Sequence, residues 1–85
     1  MTLGVYETMS KINVFPNPAD DYIEFDFNDN SILSTIEIYN LQGKKVLNKK
    51  LINNSKVSIS HLVSGMYLYR IIQGGNQQTG KLFIL

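Results

Sequence analysis

The side chains that could support catalysis are few and scattered. His61 is the single histidine, and the acidic residue nearest to it in the sequence is Glu37. Ser58, Ser60 and Ser64 lie near His61, but a catalytic triad also needs an acid that orients the imidazole and donors that bind an oxyanion. The chain has no cysteine, which excludes disulfides, thiol nucleophiles and thiolate metal sites. We therefore expect no catalytic residue, and we expect His61 to lie in an exposed turn.

Acidic residues are concentrated in the N-terminal third, where a calcium site is the chemistry to consider. They are Asp20, Asp21, Glu24, Asp26 and Asp29. Calcium takes carboxylate and carbonyl oxygens, but the ligand spacing of an EF-hand loop is absent. Glu24 and Asp26 alternate with apolar residues, as on the solvent face of a strand. A solvated acidic face is the better interpretation, and no metal or cofactor is expected.

The composition is that of one ordinary soluble domain. The chain has 85 residues, of which 44% are hydrophobic and 18% are charged. Eight basic and seven acidic residues give a net charge of +1, which is too balanced for nucleic-acid binding or a polybasic membrane anchor. No segment approaches the about 20 apolar residues that span a bilayer, and the first residues lack the pattern of a secretory signal peptide. We expect neither nucleic-acid binding nor membrane insertion.

Hydrophobic residues recur with a period of two, which predicts strands rather than helices. In residues 22–27, for example, Ile23 and Phe25 point to one side while Glu24 and Asp26 point to the other. The strand candidates are residues 11–15, 22–27, 36–39, 44–51, 56–60, 66–72 and 78–85. Turn-forming residues separate them at 28–31, 40–43, 53–55 and 73–76. This spacing indicates an all-β fold, an immunoglobulin-like antiparallel β-sandwich of about seven short strands.

Two of the strand candidates have a predictable place in a sheet. Residues 66–72 are apolar on both faces apart from Arg70, which suits a central strand that a facing sheet covers. Residues 44–51 include four lysines, which suit an edge strand because charged side chains discourage pairing with another chain.

The spacing of Leu62, Gly65 and Tyr67 resembles the tyrosine corner of Greek-key sandwiches. In that corner the phenol hydroxyl bonds to the backbone a few residues upstream and fixes the connection between the two sheets. We expect these three residues to have this structural role.

Pro16 and Pro18 flank Asn17 at the junction of the first two strand candidates. Each proline fixes its own φ and biases the preceding residue toward extended geometry. Neither can donate a hydrogen bond to a strand ladder, so the first strand should end here. From local physics alone the tripeptide is a rigid link between two strands.

Four segments together resemble the C-terminal sorting domain of proteins exported by the type IX (Por) secretion system. They are FPNPADDYIEF, STIEIYNLQGKKV, VSISHLVSGMYLYRI and GKLFIL. The resemblance covers Asn13 to Leu85, and its order and spacing make it more specific than any single motif. The residues that match the family pattern, for mainly structural reasons, are Pro16, Asn17, Pro18, Gly43, Lys44, Leu62, Gly65 and Tyr67, with Lys81 and Leu82 in the closing strand.

The resemblance implies a domain that catalyses nothing and directs a covalently fused N-terminal cargo through the outer-membrane translocon. It implies transit through the periplasm, and then release or attachment at the cell surface after a sortase-like signal peptidase has cut upstream. Residues 1–10 are expected to be linker or an artificial start, and residues 11–85 the sorting domain. Family members usually end in a basic residue, whereas this sequence ends at Leu85, so export depends on whether that residue is needed.

The terminal segment is the candidate recognition element. Thr79 to Leu85 could pair with the translocon by β-augmentation, or its terminal carboxylate could be captured by backbone amides. Alternatively, its apolar residues simply fill the core. The candidate recognition residues are Lys81, Leu82, Phe83, Ile84 and Leu85.

A second interpretation comes from another class of protein. The same fold serves as a fibronectin-like adhesion or carbohydrate-binding accessory module. Such a module should present exposed aromatic rings on one sheet face, and the candidates are Tyr39 and, beside it, Tyr6 or Tyr22.

Overall fold

The computed structural model describes residues 12–27, 32–53 and 55–85. These residues form seven strands: β1 (Asn13–Phe15), β2 (Tyr22–Asp26), β3 (Ser34–Tyr39), β4 (Lys45–Leu51), β5 (Lys56–Ser58), β6 (Gly65–Gln73) and β7 (Asn76–Ile84). All the predicted strands are present, with ends that differ by a few residues. The expected linker at 1–10 and the turn predicted at 28–31 lie outside the described residues. The described part of the chain contains no helix that could cross a membrane.

The strands form two antiparallel sheets. One has the order β1-β2-β5 and the other has the order β4-β3-β6-β7. The predicted β-sandwich is therefore confirmed, as are the edge position of β4 and the central position of β6. β7 forms the second edge of the four-stranded sheet.

The core lies between the sheets and is built from the alternating apolar residues of each strand. Ile23 and Ile59 come from the three-stranded side, and Ile36, Ile38 and Ile71 from the four-stranded side; all five are 0% exposed. Burying one such side chain stabilises the fold by about 1.5–3 kcal/mol. One residue breaks the expected alternation, since Glu37 is on the outer face of β3 and is nevertheless buried.

The predicted tyrosine corner is confirmed. The Tyr67 hydroxyl donates to the Val63 carbonyl at 2.6 Å, and the Leu62 amide donates to the Ile59 carbonyl at 3.0 Å. Gly65 has φ +145°, a conformation that side-chain-bearing residues rarely adopt. These contacts fix the connection by which the chain crosses from β5 in one sheet to β6 in the other.

The β3–β4 hairpin is closed by the Asn40 side chain. Its Oδ1 accepts from the Gln42 amide at 3.0 Å and from the Lys44 amide at 2.9 Å, while Gly43 takes φ +86°. Next to this turn the β3–β4 register shifts by one residue, so that Ile38 pairs with Leu47 but Tyr39 pairs with Lys45. The shift places the Lys45 side chain within reach of Glu37.

We predict that Tyr67→Phe lowers the free energy of unfolding by about 1–2 kcal/mol, because it leaves the Val63 carbonyl without its donor. Urea denaturation followed by circular dichroism measures this change. Tyr22→Phe is the matched control, since the Tyr22 side chain is 38% exposed, and it should shift stability by less than about 0.5 kcal/mol. Equal losses in the two variants would contradict a special role for the corner.

Candidate recognition surface

The opening Pro-Asn-Pro segment is bonded to the last strand. The Asn17 side-chain Nδ2 donates to the Lys81 backbone carbonyl at 3.0 Å. The Asn17 side-chain Oδ1 accepts from the Phe83 backbone amide, also at 3.0 Å. One carboxamide therefore binds two backbone groups on the free edge of β7, as a neighbouring strand would.

Ala19 extends this attachment to the end of the strand. Its amide donates to the Phe83 carbonyl at 2.7 Å, and its carbonyl accepts from the Leu85 amide at 2.8 Å. Ala19 is 0% exposed and pairs with Ile84 as an isolated parallel bridge. The peptide bonds that precede Pro16 and Pro18 are both cis. β1 ends at Phe15, as predicted, and the link also covers the outer edge of β7.

A second side-chain carboxamide, this one from β7, binds the backbone of the opening segment. The Gln78 side chain in β7 accepts from the Ile12 amide and donates to the Ile12 carbonyl, both at 2.8 Å. Asn17 and Gln78 therefore make reciprocal contacts, each binding the backbone of the other's segment. We call these two contacts the amide clasps.

The structure divides the five candidate recognition residues into two groups. Leu82 and Ile84 face the core and are 0% and 5% exposed. Lys81, Phe83 and Leu85 point outward, and the latter two are 45% and 70% exposed. The alternative of core filling therefore holds for the first group, whereas the second group is accessible to a partner. Pairing of a partner strand along 81–85 would have to displace Asn17 and Ala19.

Position 80, in the closing motif, must be glycine because its neighbour across the sheet, Tyr69, leaves no room for a side chain. The Tyr69 ring lies over it, and a Cβ atom at Gly80 would be 2.5 Å from the Tyr69 hydroxyl oxygen. We did not predict this contact, although a glycine inside a strand is a signal of such close approach.

The family motifs, which are far apart in the sequence, lie at one end of the four-stranded sheet. At this end β3 and β7 finish while β4 and β6 begin, and Tyr39 pairs with both Lys45 and Leu68. Residues 40–42 of the hairpin and residues 61–65 of the corner line a common hollow there. Gly65 pairs with Ile84, which in turn is bridged to Ala19. We call this region, which comprises the hairpin, the corner and the bridge between Ala19 and Ile84, the motif end.

A charged cluster on the outer face of the sheet joins β3 to both of its neighbours. Glu37 accepts from Lys45 at 3.0 Å, from the Arg70 Nε at 2.9 Å and from the Tyr39 hydroxyl at 2.8 Å. Arg70 also donates to the Tyr39 hydroxyl at 3.0 Å. We did not predict this cluster; the signal for it was Arg70, a lone charge in an otherwise apolar central strand.

The cluster holds the Glu37 carboxylate in its ionised form. Hydrogen bonds from Lys45, Tyr39 and Arg70 lower the pKa of Glu37 from 4.5 to about 2, although burial acts in the opposite direction. Because the folded pKa lies below the unfolded one, ionised Glu37 stabilises the fold fully above pH 4.5. This stabilisation is lost as the pH falls toward 2.

A shallow cleft adjoins this cluster on the side of β7. It has a volume of 620 Å³, and its lining includes Tyr39, Leu68, Arg70, Thr79 and Lys81. Leu68 is 43% exposed in this cleft, and Lys81 is also exposed. The cleft thus combines apolar surface with cationic side chains.

The other sequence candidates do not form a chemical site. His61 is exposed in the turn that leads to the tyrosine corner, as expected. Within residues 12–27, 32–53 and 55–85 no three potential metal ligands come together, and Asp29 lies outside these ranges. Tyr22 and Tyr39 belong to different sheets, and Tyr6 is not among the described residues.

Comparison with known proteins identifies the family. The model of the secretion system C-terminal sorting domain matches residues 13–85, so the chain belongs to this family. It is a sorting domain of the type IX system, the signal that directs a fused cargo across the outer membrane to the cell surface or the exterior. It therefore interacts with the type IX machinery.

A solved structure shares the fold. The crystal structure of dimeric latent PorU from Porphyromonas gingivalis is 22% identical, with a TM-score of 0.55. The match covers 87% of this chain and 9% of that chain, so the present chain corresponds to a small part of PorU. No curated protein sequence matches.

We predict that Asn17→Ala lowers the free energy of unfolding by about 1 kcal/mol, because two backbone groups of β7 lose their partners. Amide hydrogen exchange should accelerate at Phe83, whose amide is bound by Asn17, and much less at Tyr67. Asn48→Ala, an exposed change on β4, is the control. Unchanged exchange at Phe83 in Asn17→Ala would contradict the clasp.

Acid unfolding tests the charged cluster. Wild-type stability should exceed that of Glu37→Gln at neutral pH, and the difference, about 1–2 kcal/mol, should shrink between pH 4.5 and 2. Denaturant midpoints measured across this range check the prediction. Ser58→Ala, an exposed neutral change on the other sheet, should retain the wild-type acid dependence, and a Glu37→Gln protein with that same dependence would refute the assignment.

Proposed function

We propose that the motif end is the surface by which the type IX translocon recognises this sorting domain. The observation that carries the proposal is the convergence of four sequence motifs, distributed from Pro16 to Leu85, at one end of one sheet. The hydrophobic core could form without bringing these four motifs together at one end of the sheet. Their convergence supports a single composite surface in which the fold positions the residues that are read.

The outward residues of β7 are the candidates for direct contact. Phe83 and Leu85 are 45% and 70% exposed, and Lys81 lies beside them on the same side of the strand. Aromatic side chains are enriched at protein interfaces, so Phe83 is the strongest anchor candidate of the three. Pro16, Asn17 and Pro18 contribute indirectly, because Asn17 holds the strand that carries these residues.

Cleavage by a sortase-like signal peptidase is expected upstream of Ile12. Ile12 is 3% exposed, and the Gln78 side chain binds both its backbone amide and its carbonyl. A peptidase needs an accessible, extended substrate, which the chain from Ile12 onward does not offer. The cut would separate a cargo that has passed through the periplasm from an otherwise intact domain.

The domain itself acts without catalysis. Its one imidazole lies in an exposed turn at His61, beside residues that build the tyrosine corner. Recognition and release would then depend on the translocon and the peptidase, and the domain would contribute shape and contact surface.

Export of a fused reporter tests the proposal. A fluorescent protein with a periplasmic targeting signal, fused before residue 1, should reach the medium or cell surface only in cells with a functional type IX translocon. Phe83→Ala should lower export by about fivefold or more, since an interface anchor costs over 1 kcal/mol when truncated, with little change in melting temperature.

Leu33→Ala is the matched control for Phe83→Ala. Leu33 is 50% exposed and lies just before β3, at the opposite end of the sheet. Normal export of Phe83→Ala together with normal folding would remove Phe83 from the recognition surface. Deletion of residues 81–85 is a poor test, because it removes Leu82 and Ile84 from the core.

A further inference from the structure

The cleft beside β7 has the composition of a peptide-binding site. Leu68 supplies exposed apolar surface, and Tyr39 also lines the cleft. Arg70 and Lys81 lie in β6 and β7, and Lys81 is the register partner of Leu68. The volume of 620 Å³ is in the range of small-ligand pockets, about 300–1,000 Å³.

The cationic groups of the cleft keep unused hydrogen-bond donors. Arg70 binds Glu37 and Tyr39 through Nε and one amino group, and its Nη1 has no partner in the described part of the chain. The Lys81 ammonium also has no hydrogen-bond partner among the described residues. Glu37 carries one negative charge against the three positive charges of Lys45, Arg70 and Lys81, so the cleft and its surroundings keep a surplus of positive charge.

Charge is also divided between the two sheets. Among the described residues, the four-stranded sheet and its hairpin carry the cations Lys44, Lys45, Lys49, Lys50, Arg70 and Lys81. The acidic residues other than Glu37 lie in or just before β2, namely Asp20, Asp21, Glu24 and Asp26. An acidic partner would therefore be attracted to the cleft side and repelled from the other side.

We infer that this cleft binds an extended acidic peptide segment of the secretion machinery, with a carboxylate between Arg70 and Lys81 and an apolar side chain on Leu68. The inference rests on the proposed function and deepens it by giving the chemistry of the partner. A peptide carboxylate matches the free Arg70 and Lys81 donors. A membrane surface fits less well, because anionic lipids are bound by compact clusters of about 4–8 basic residues, whereas four of the six cations lie on the hairpin and the far edge strand β4 and only Arg70 and Lys81 line the cleft.

A nuclear magnetic resonance titration tests the inference on the 85-residue chain. The probe is a blocked hexapeptide of alternating glutamate and leucine, compared with the same peptide of glutamine and leucine. The acidic peptide should shift the amide signals of Leu68, Thr79 and Lys81. Lys81→Glu should weaken its binding at least about fivefold, and the control Lys49→Glu, which makes the same charge change on the far edge strand β4, should weaken it by less than about twofold.

Several results would overturn the inference. They are equal shifts with the neutral peptide, shifts confined to regions away from the cleft, and shifts seen only with phosphatidylglycerol vesicles. Shifts at Gln77 and Thr79 that persist in Lys81→Glu would also count against it, because they would indicate pairing along the free edge of β7.

Export of the reporter fusion separates this inference from the proposed function. Lys81→Glu should reduce export about tenfold with an unchanged melting temperature, while Lys49→Glu should be exported normally. If wild type requires the translocon and Lys81→Glu is exported equally well, the cleft is refuted and the sorting role stands. If wild-type export does not depend on the translocon, the proposed function fails, while the titration still decides the cleft.

Discussion

The placement of the opening segment against the closing strand depends on the two amide clasps, which hold residues 12–19 on β7. Asn17 and Gln78 contact backbone groups 64 to 66 positions away along the chain, and the Ala19 backbone adds two hydrogen bonds, to Phe83 and Leu85. An edge strand with free amides and carbonyls is a template for unwanted pairing. The Asn17 clasp and Ala19 remove that hazard over residues 81–85, while Gln78 fixes the start of β1.

The family motifs each solve a problem of joining strands. Asn40 and Gly43 turn β3 into β4, the Tyr67 hydroxyl fixes the crossing into β6, and Asn17 binds the edge of β7. Polar side chains do this work because each satisfies backbone groups that no strand ladder reaches. Their shared location follows from the antiparallel registers, which bring the ends of β3 and β7 beside the beginnings of β4 and β6.

The local features of this fold could be predicted from the sequence, and the contacts between distant segments could not. Period-two patterns predict the strands, the lysines predict the edge position of β4, and the spacing of Leu62, Gly65 and Tyr67 predicts the corner. Which strand lies beside which depends on registers that no local pattern encodes. The burial of Glu37 and the packing of the Tyr69 ring against Gly80 both depend on such registers. Residues 81–85 read as one largely apolar block in the sequence, and only the pairing of β7 with β6 shows that Leu82 and Ile84 face the core while Lys81, Phe83 and Leu85 face outward.

The clasps also determine how the domain responds to a pulling force. Residues 12–19 run alongside β7 in the same direction, from Ile12 at Gln78 to Ala19 at Ile84. Tension along this axis, transmitted through the chain before Ile12, loads both clasps and the β1–β2 ladder together in shear. A sideways pull instead opens them in sequence, beginning at Gln78. The sandwich can therefore hold a load along one direction and yield along another.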